Sequence, residues 1–221
     1  MKGTRRRAVL FAAATAFNGA CLAAGGHHAV DDAAILETRE CELEHWLTRA
    51  QGASGLAHSG FSCGIGGVEF GVAGEYARAA GASQTAWGLQ AKTAYDVNDA
   101  LSVGAALTLG WQARARPRHT TTTLLLMASW KARPDVALHL NVGRDFLRGA
   151  GNAARAGVAA EWTPSKNWML LVEGYGEQDA RFVRGGVRWQ VEQWQVDVSR
   201  ANVISGVGTS AWTLGLTFSL D

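Results

Sequence analysis

Residues 181–200 read RFVRGGVRWQVEQWQVDVSR; between Val183 and Val191 the odd positions are Val, Gly, Val, Trp and Val, and the even ones Arg, Gly, Arg and Gln. Beyond Glu192-Gln193 the phase reverses, so that Trp194, Val196 and Val198 become the apolar set, with Gln195, Asp197 and Ser199 alternating as the polar one. Period-two alternation marks a β-strand with one apolar and one polar face. Two such strands joined by two residues form an antiparallel hairpin, although Glu-Gln is not the Asn-Gly type such turns favour. This register sets Trp189 opposite Val196 and Arg188 opposite Asp197. Which face meets solvent decides the architecture. A soluble sandwich buries the Val/Trp face in its core, whereas a membrane barrel turns it to lipid and keeps Arg188 and Asp197 in its lumen.

The same alternation recurs along the chain, in Val68–Val72, Trp87–Val97, Leu101–Trp111, Leu124–Trp130, Val136–Val142, Ala156–Trp162 and Trp168–Val172, with no sustained helical period. Short connections (98–100, 132–135, 163–167 and 192–193) alternate with longer ones (113–119, 147–153 and 201–210), which is the barrel pattern of tight turns at one end and loops at the other. Trp130, Trp162, Trp168, Trp189 and Trp194 fall at the turn ends, and Trp87, Trp111 and Trp212 near the loop ends, as two aromatic girdles would. The polar faces carry Gly88, Gly104, Gly110, Gly157, Gly186 and Gly215 among Ser, Thr and charges. That composition leaves no set of large apolar residues to fill a soluble barrel, so the Val/Trp face is expected to meet lipid.

Both ends of the chain point the same way. Lys2 and Arg5–Arg7 precede an apolar run from Ala8 to Phe17 and small residues to Ala24, so residues 1–24 read as a secretory signal peptide, too short to span a bilayer as a helix. Cleavage after Ala24 removes 4 of the 21 basic residues and none of the 19 acidic ones, leaving 17 against 19 and a formal charge of −2. The basic balance of the full chain therefore implies no nucleic-acid partner. At the other end, Thr213-x-Gly215-x-x-Phe218-x-Leu220 is similar to the terminal signal by which outer-membrane barrels reach their insertion machinery, with Asp221 added. Residues 25–39 read as a flexible leader and 40–221 as the barrel.

Cys41 and Cys63 remain after cleavage, an even pair in an exported chain. A hairpin turning around residues 51–53 brings them opposite each other, so a disulfide is expected. Counting that hairpin as two strands gives twelve in all, with both barrel termini at the turn end.

The stretch VDDAAILETRECELEHW resembles, at Asp31, Asp32, Ala33, Cys41, Glu42, Leu43, Glu44 and Trp46, a group of proteobacterial outer-membrane barrel proteins regarded as transporters, of the type associated with aromatic-degradation operons. The resemblance implies an outer-membrane barrel of a Gram-negative bacterium and names no substrate.

Candidate site residues follow from the inward faces: Glu69, Glu75, Lys92, Asp96, His139, Arg155, Glu161, Glu173, Arg184, Arg188 and Asp197 are expected to line the lumen. The carboxylates are expected to pair with Lys92, Arg114, Arg155, Arg184 and Arg188, and His139 to hydrogen-bond without a nearby serine partner. Gly60-x-Ser62-x-Gly64 matches a nucleophile-elbow pattern but lacks the strand-turn-helix setting that chemistry needs. No Walker loop, dinucleotide fingerprint or metal-ligand spacing occurs, so no cofactor is expected. One exception is His27 with His28: cleavage after Ala24 would place His27 third in the mature chain, where the terminal amine, two amides and imidazole chelate Cu(II) or Ni(II). The expectation is a non-enzymatic, porin-like transmembrane barrel conducting small solutes, with outer-membrane lipid and the insertion machinery as partners. The alternatives are a membrane-embedded hydrolase and a soluble periplasmic barrel that binds a small ligand.

Overall fold

The structure is a computed structural model describing residues 27–51, 54–79 and 81–220. The signal-peptide reading of 1–24 lies outside the described residues. Twelve strands follow one another: β1 (Cys41–Ala50), β2 (Ser54–Ile65), β3 (Val68–Ala79), β4 (Ala82–Asn98), β5 (Leu101–Gln112), β6 (His119–Arg133), β7 (Val136–Leu147), β8 (Ala153–Ser165), β9 (Trp168–Glu177), β10 (Ala180–Val191), β11 (Trp194–Ser205) and β12 (Ala211–Leu220). Each pairs antiparallel with its neighbours in sequence, and β1 pairs with β12 from Cys41↔Leu220 to Ala50↔Ala211, closing the sheet into a barrel. Closure leaves no unpaired edge.

The opening hairpin is β10–β11, with Arg188 opposite Asp197 and Trp189 opposite Val196 as its alternation requires. Its turn works without glycine because Glu192 adopts a positive φ of 51°, an uncommon conformation for a side-chain-bearing residue. Elsewhere the strands run further than their apolar alternation. β4 begins at Ala82 rather than near Trp87, and a two-residue turn, Gln178-Asp179, joins β9 to β10, so the loop end is not uniformly long. Small and polar residues such as Ser83 and Gln84 extend the sheet without contributing contrast between its faces.

The outward face is apolar and open. Leu126, Leu140, Val158, Val172 and Leu214 are each at least half exposed, as are Trp130 and Trp212. Polar and charged groups are buried instead, with Lys92, Asp145, Glu173 and Asp197 each 1% exposed inside the barrel. This reverses a water-soluble fold. One expectation is corrected: the inside does hold apolar side chains, with Leu125, Met127 and Ala106 forming a buried cluster around Ala33, and Trp46 and Leu171 also buried.

Cys41 and Cys63 are direct partners across β1–β2 and form a disulfide. A Cys41→Ser/Cys63→Ser variant is expected to lose about 3 kcal/mol, measured by urea unfolding from lipid vesicles. An unchanged midpoint would show that the bond adds nothing to the closed sheet.

Candidate functional site: a lumen crossed by its own leader

Residues 27–33 lie inside the barrel, and 34–40 lead out to an exposed stretch at its turn end. The expected flexible leader is, over its described residues, a seated segment, with Val30, Asp31 and Ala33 at most 5% exposed. An extended chain in a water-poor lumen has to satisfy its backbone groups, and the wall supplies the partners in order. His27 meets Ser199 on β11 and its carbonyl accepts from Arg184 on β10. The N–H groups of Ala29 and Val30 donate to the Glu173 carboxylate on β9, at 3.1 and 2.8 Å. Asn141 on β7 accepts from Asp31 N–H and donates to Asp31 C=O, both at 2.7 Å, as a paired backbone would. Ala33 N–H then donates to Ser129 on β6 at 2.7 Å, and Leu36 N–H to Glu69 on β3 at 3.1 Å. Finally Arg39 N–H donates to Gly64 C=O, and Gly64 N–H to Glu40 C=O, on β2. The leader thus visits the wall in descending strand order before turning into β1.

Charge locks it in place. Lys92, on β4, reaches Asp31 at 2.9 Å and Asp32 at 3.3 Å. His28 shares Asp197 with Arg188, at 3.5 and 2.8 Å. Two glycines make the fit possible: a Cβ on Gly157 would lie 2.6 Å from Val30 Cγ2, and one on Gly64 would lie 2.1 Å from the Glu37 carbonyl oxygen.

On the loop side of this segment the lumen opens into a cavity of about 50 Å³, bordered by His58, Glu75, Thr108, Thr121 and Thr123. That is room for a few waters. His58 spans Glu75 and Glu44 at 3.0 and 3.5 Å and stacks on Trp46, with ring centroids 3.4 Å apart. Across the lumen, Arg155 holds Asp145 at 2.8 Å and Glu177 at 3.3 Å, while Arg184 bonds Glu173 at 3.0 Å and the Tyr175 hydroxyl at 3.0 Å.

Of the expected lining residues, Glu69, Glu75, Lys92, His139, Arg155, Glu173, Arg188 and Asp197 are buried on the inner face, and Glu161 and Arg184 are partly exposed there. Asp96 is exposed at the turn end, accepting from Ser102. Arg114 is no lumen partner of the carboxylates but sits in an exposed loop, bonding Ser83 C=O. The reading missed Asp31, Glu44, His58, Asp145 and Glu177.

It also missed the partner of His139: Ser129 is directly opposite on β6, with its hydroxyl 2.7 Å from His139 Nδ1, and Glu161 is 3.5 Å from Nε2. These three types can form a nucleophilic triad. Here, however, Ser129 already accepts from the leader. Among the described residues no group of three His, Cys, Asp or Glu is placed to hold a metal. His27 and His28 pack ring to ring at 4.5 Å, and the residues that would complete the amine chelate lie outside the described residues.

A closed antiparallel barrel, apolar outside and charge-paired within, is the architecture of outer-membrane porins. The chain belongs to the family described as "Uncharacterised conserved protein UCP029691", whose family model matches residues 12–220. No curated protein matches it. Among solved structures, it is similar to the KdgM porin in complex with disordered oligogalacturonate, with a TM-score of 0.70 and 12% identity over 81% of this chain and 99% of that one. It is also similar to the NanC porin, with a TM-score of 0.66 and 10% identity over 80% of this chain and 100% of that one. LpxR from Salmonella typhimurium shares the barrel at a TM-score of 0.50 and 9% identity, over 80% of this chain and 99% of LpxR.

Replacing Lys92 by Met removes the cation that Asp31 and Asp32 share, and removing one partner of a buried pair costs about 3 to 5 kcal/mol. The leader should then leave its seat, read as faster tryptic cleavage after Arg39 in the folded barrel. Adding Asp31→Asn should restore part of the protection; equal cleavage rates in wild type and Lys92→Met would refute this account of the lock.

Proposed function

We propose that the protein is an outer-membrane barrel, with its turn end in the periplasm, that passes small polar solutes through a lumen its leader holds narrow. The observation that carries this reading is the leader's course across a polar lumen enclosed by an apolar outer wall. Outward leucines and valines between two tryptophan girdles suit lipid and disfavour a soluble periplasmic binder. Inside, cations and carboxylates meet in pairs, so the lumen suits neutral or zwitterionic solutes small enough to pass the leader, rather than aromatic hydrocarbons. The terminal strand from Thr213 to Leu220 would be what the insertion machinery engages.

The reading is non-enzymatic. Ser129, His139 and Glu161 are the best-placed set for a hydrolase, but the imidazole addresses the serine through Nδ1 and the leader covers the hydroxyl. In this reading Ser129 is a docking point for Ala33.

Planar-bilayer recording tests the proposal. Wild type should show small conductance steps, and deletion of residues 27–36 larger ones. In the deleted background, Asp197→Ala leaves Arg188 facing the lumen and should favour anions, while Arg188→Ala should favour cations. A deletion variant that folds, by heat-modifiable migration, yet conducts no more than wild type would defeat the pore reading.

A further inference from the structure

The loop end carries an arginine array on the outer wall that neither the fold nor the lumen requires. One register row crosses five adjacent strands: Arg78 on β3 pairs with Gly55, Gly55 with Arg49 on β1, Arg49 with Trp212, and Trp212 with Arg200 on β11. Directly paired residues share a face, and here it is the outward one. Arg49 and Arg78 are exposed, Trp212 is 52% exposed, and the Arg200 guanidinium lies 5.2 Å from the Trp212 ring centroid. Two residues nearer the turn end, the same strands present Tyr76, Leu47, Leu214 and Val198 outward. The array therefore caps the apolar belt at the level where lipid headgroups begin.

Its surroundings are predominantly of one sign. Arg144 and Arg181 also face outward near this end, and the loops add Arg114, Arg116, Arg118 and Arg148. Asp179 is the only exposed carboxylate there among the described residues, and none of these arginines forms an ion pair with a described carboxylate. The opposite rim mixes signs, with Lys131, Arg133 and Lys166 near Asp99, Asp135 and Glu192. The loop end uses only arginine, whose fork binds phosphate oxygens in bidentate fashion, whereas lysine acts as a point charge. Arg49 and Arg78 stand two strands apart, about 10 Å. Gly55, with no side chain, leaves a gap into which both guanidiniums can converge.

We infer that the Arg78–Gly55–Arg49 gap, flanked by Trp212 and Arg200, binds the phosphomonoester headgroup of an anionic lipid in the leaflet at the loop end. A phosphomonoester offers three oxygens and up to two charges, enough for two guanidiniums at once. A phosphodiester offers fewer oxygens and one charge. That the loop end meets a lipid leaflet rests on the reading proposed above; the binding chemistry does not rest on conduction, so a non-conducting barrel that binds the lipid would sink only the pore.

The full barrel in detergent micelles is titrated with diphosphorylated lipid A, with the same lipid after phosphate removal, and with phosphatidylglycerol, and bound lipid is counted by native mass spectrometry. Wild type should retain lipid A at least about tenfold better than either comparison lipid, and Arg49→Ala/Arg78→Ala should lose about that factor. Arg49→Lys/Arg78→Lys should recover only part of it, and Lys131→Ala/Arg133→Ala at the other rim none of the loss should appear. Equal retention of the dephosphorylated lipid or of phosphatidylglycerol would overturn the inference, as would unchanged binding in the double alanine variant. Heat-modifiable migration checks each variant's fold; should the double variant fail it, the wild-type lipid comparison and Arg200→Ala still decide.

Discussion

Everything in this molecule depends on the seam between β1 and β12. Ten residue pairs, from Cys41↔Leu220 to Ala50↔Ala211, turn an open sheet into a ring. Only in a ring can every strand satisfy its backbone on both sides, the condition that any sheet must meet before it can face hydrocarbon. Closure also creates an inside, and the period-two alternation then has no freedom. With Leu126 or Val172 outside, Lys92, Glu173 and Asp197 must be inside, where water is scarce and each charge needs a partner.

The leader answers part of that need. Lys92 receives its carboxylates from Asp31 and Asp32, and Glu173 receives donors from Ala29 and Val30 as well as Arg184. The wall and the segment are therefore complementary halves of one polar interior. Likeness to the KdgM and NanC porins, at 12% and 10% identity, establishes the shared barrel. What this chain does with the barrel has to be argued from its own lumen.

The barrel wall was legible in the sequence because its signal is local. Alternation in 181–200 gave the β10–β11 register around the turn, with Arg188 opposite Asp197 and Trp189 opposite Val196, and counting back from residues 51–53 brought Cys41 opposite Cys63, as found. The seated leader was not legible, because its partners are remote in sequence: Asp31 and Asn141 are 110 residues apart, and Val30 and Glu173 are 143. Two adjacent aspartates in an otherwise apolar stretch, and glycines on strand faces that otherwise carry charges, were the only traces of it. Ser129 escaped for a different reason. A register shift between Lys131 and Arg133 moves β6 by one residue against β7, so a plain count from the Pro134-Asp135 turn does not set Ser129 opposite His139.

A segment bonded in turn to β11, β9, β7, β6, β3 and β2 does more than occupy space. It ties opposite walls together, as a strut does in a thin tube, and holds the cross-section against flattening. Withdrawing it would change the roundness of the barrel as well as its bore. Pressure on the outer wall and occupancy of the lumen therefore act on a single mechanical coordinate.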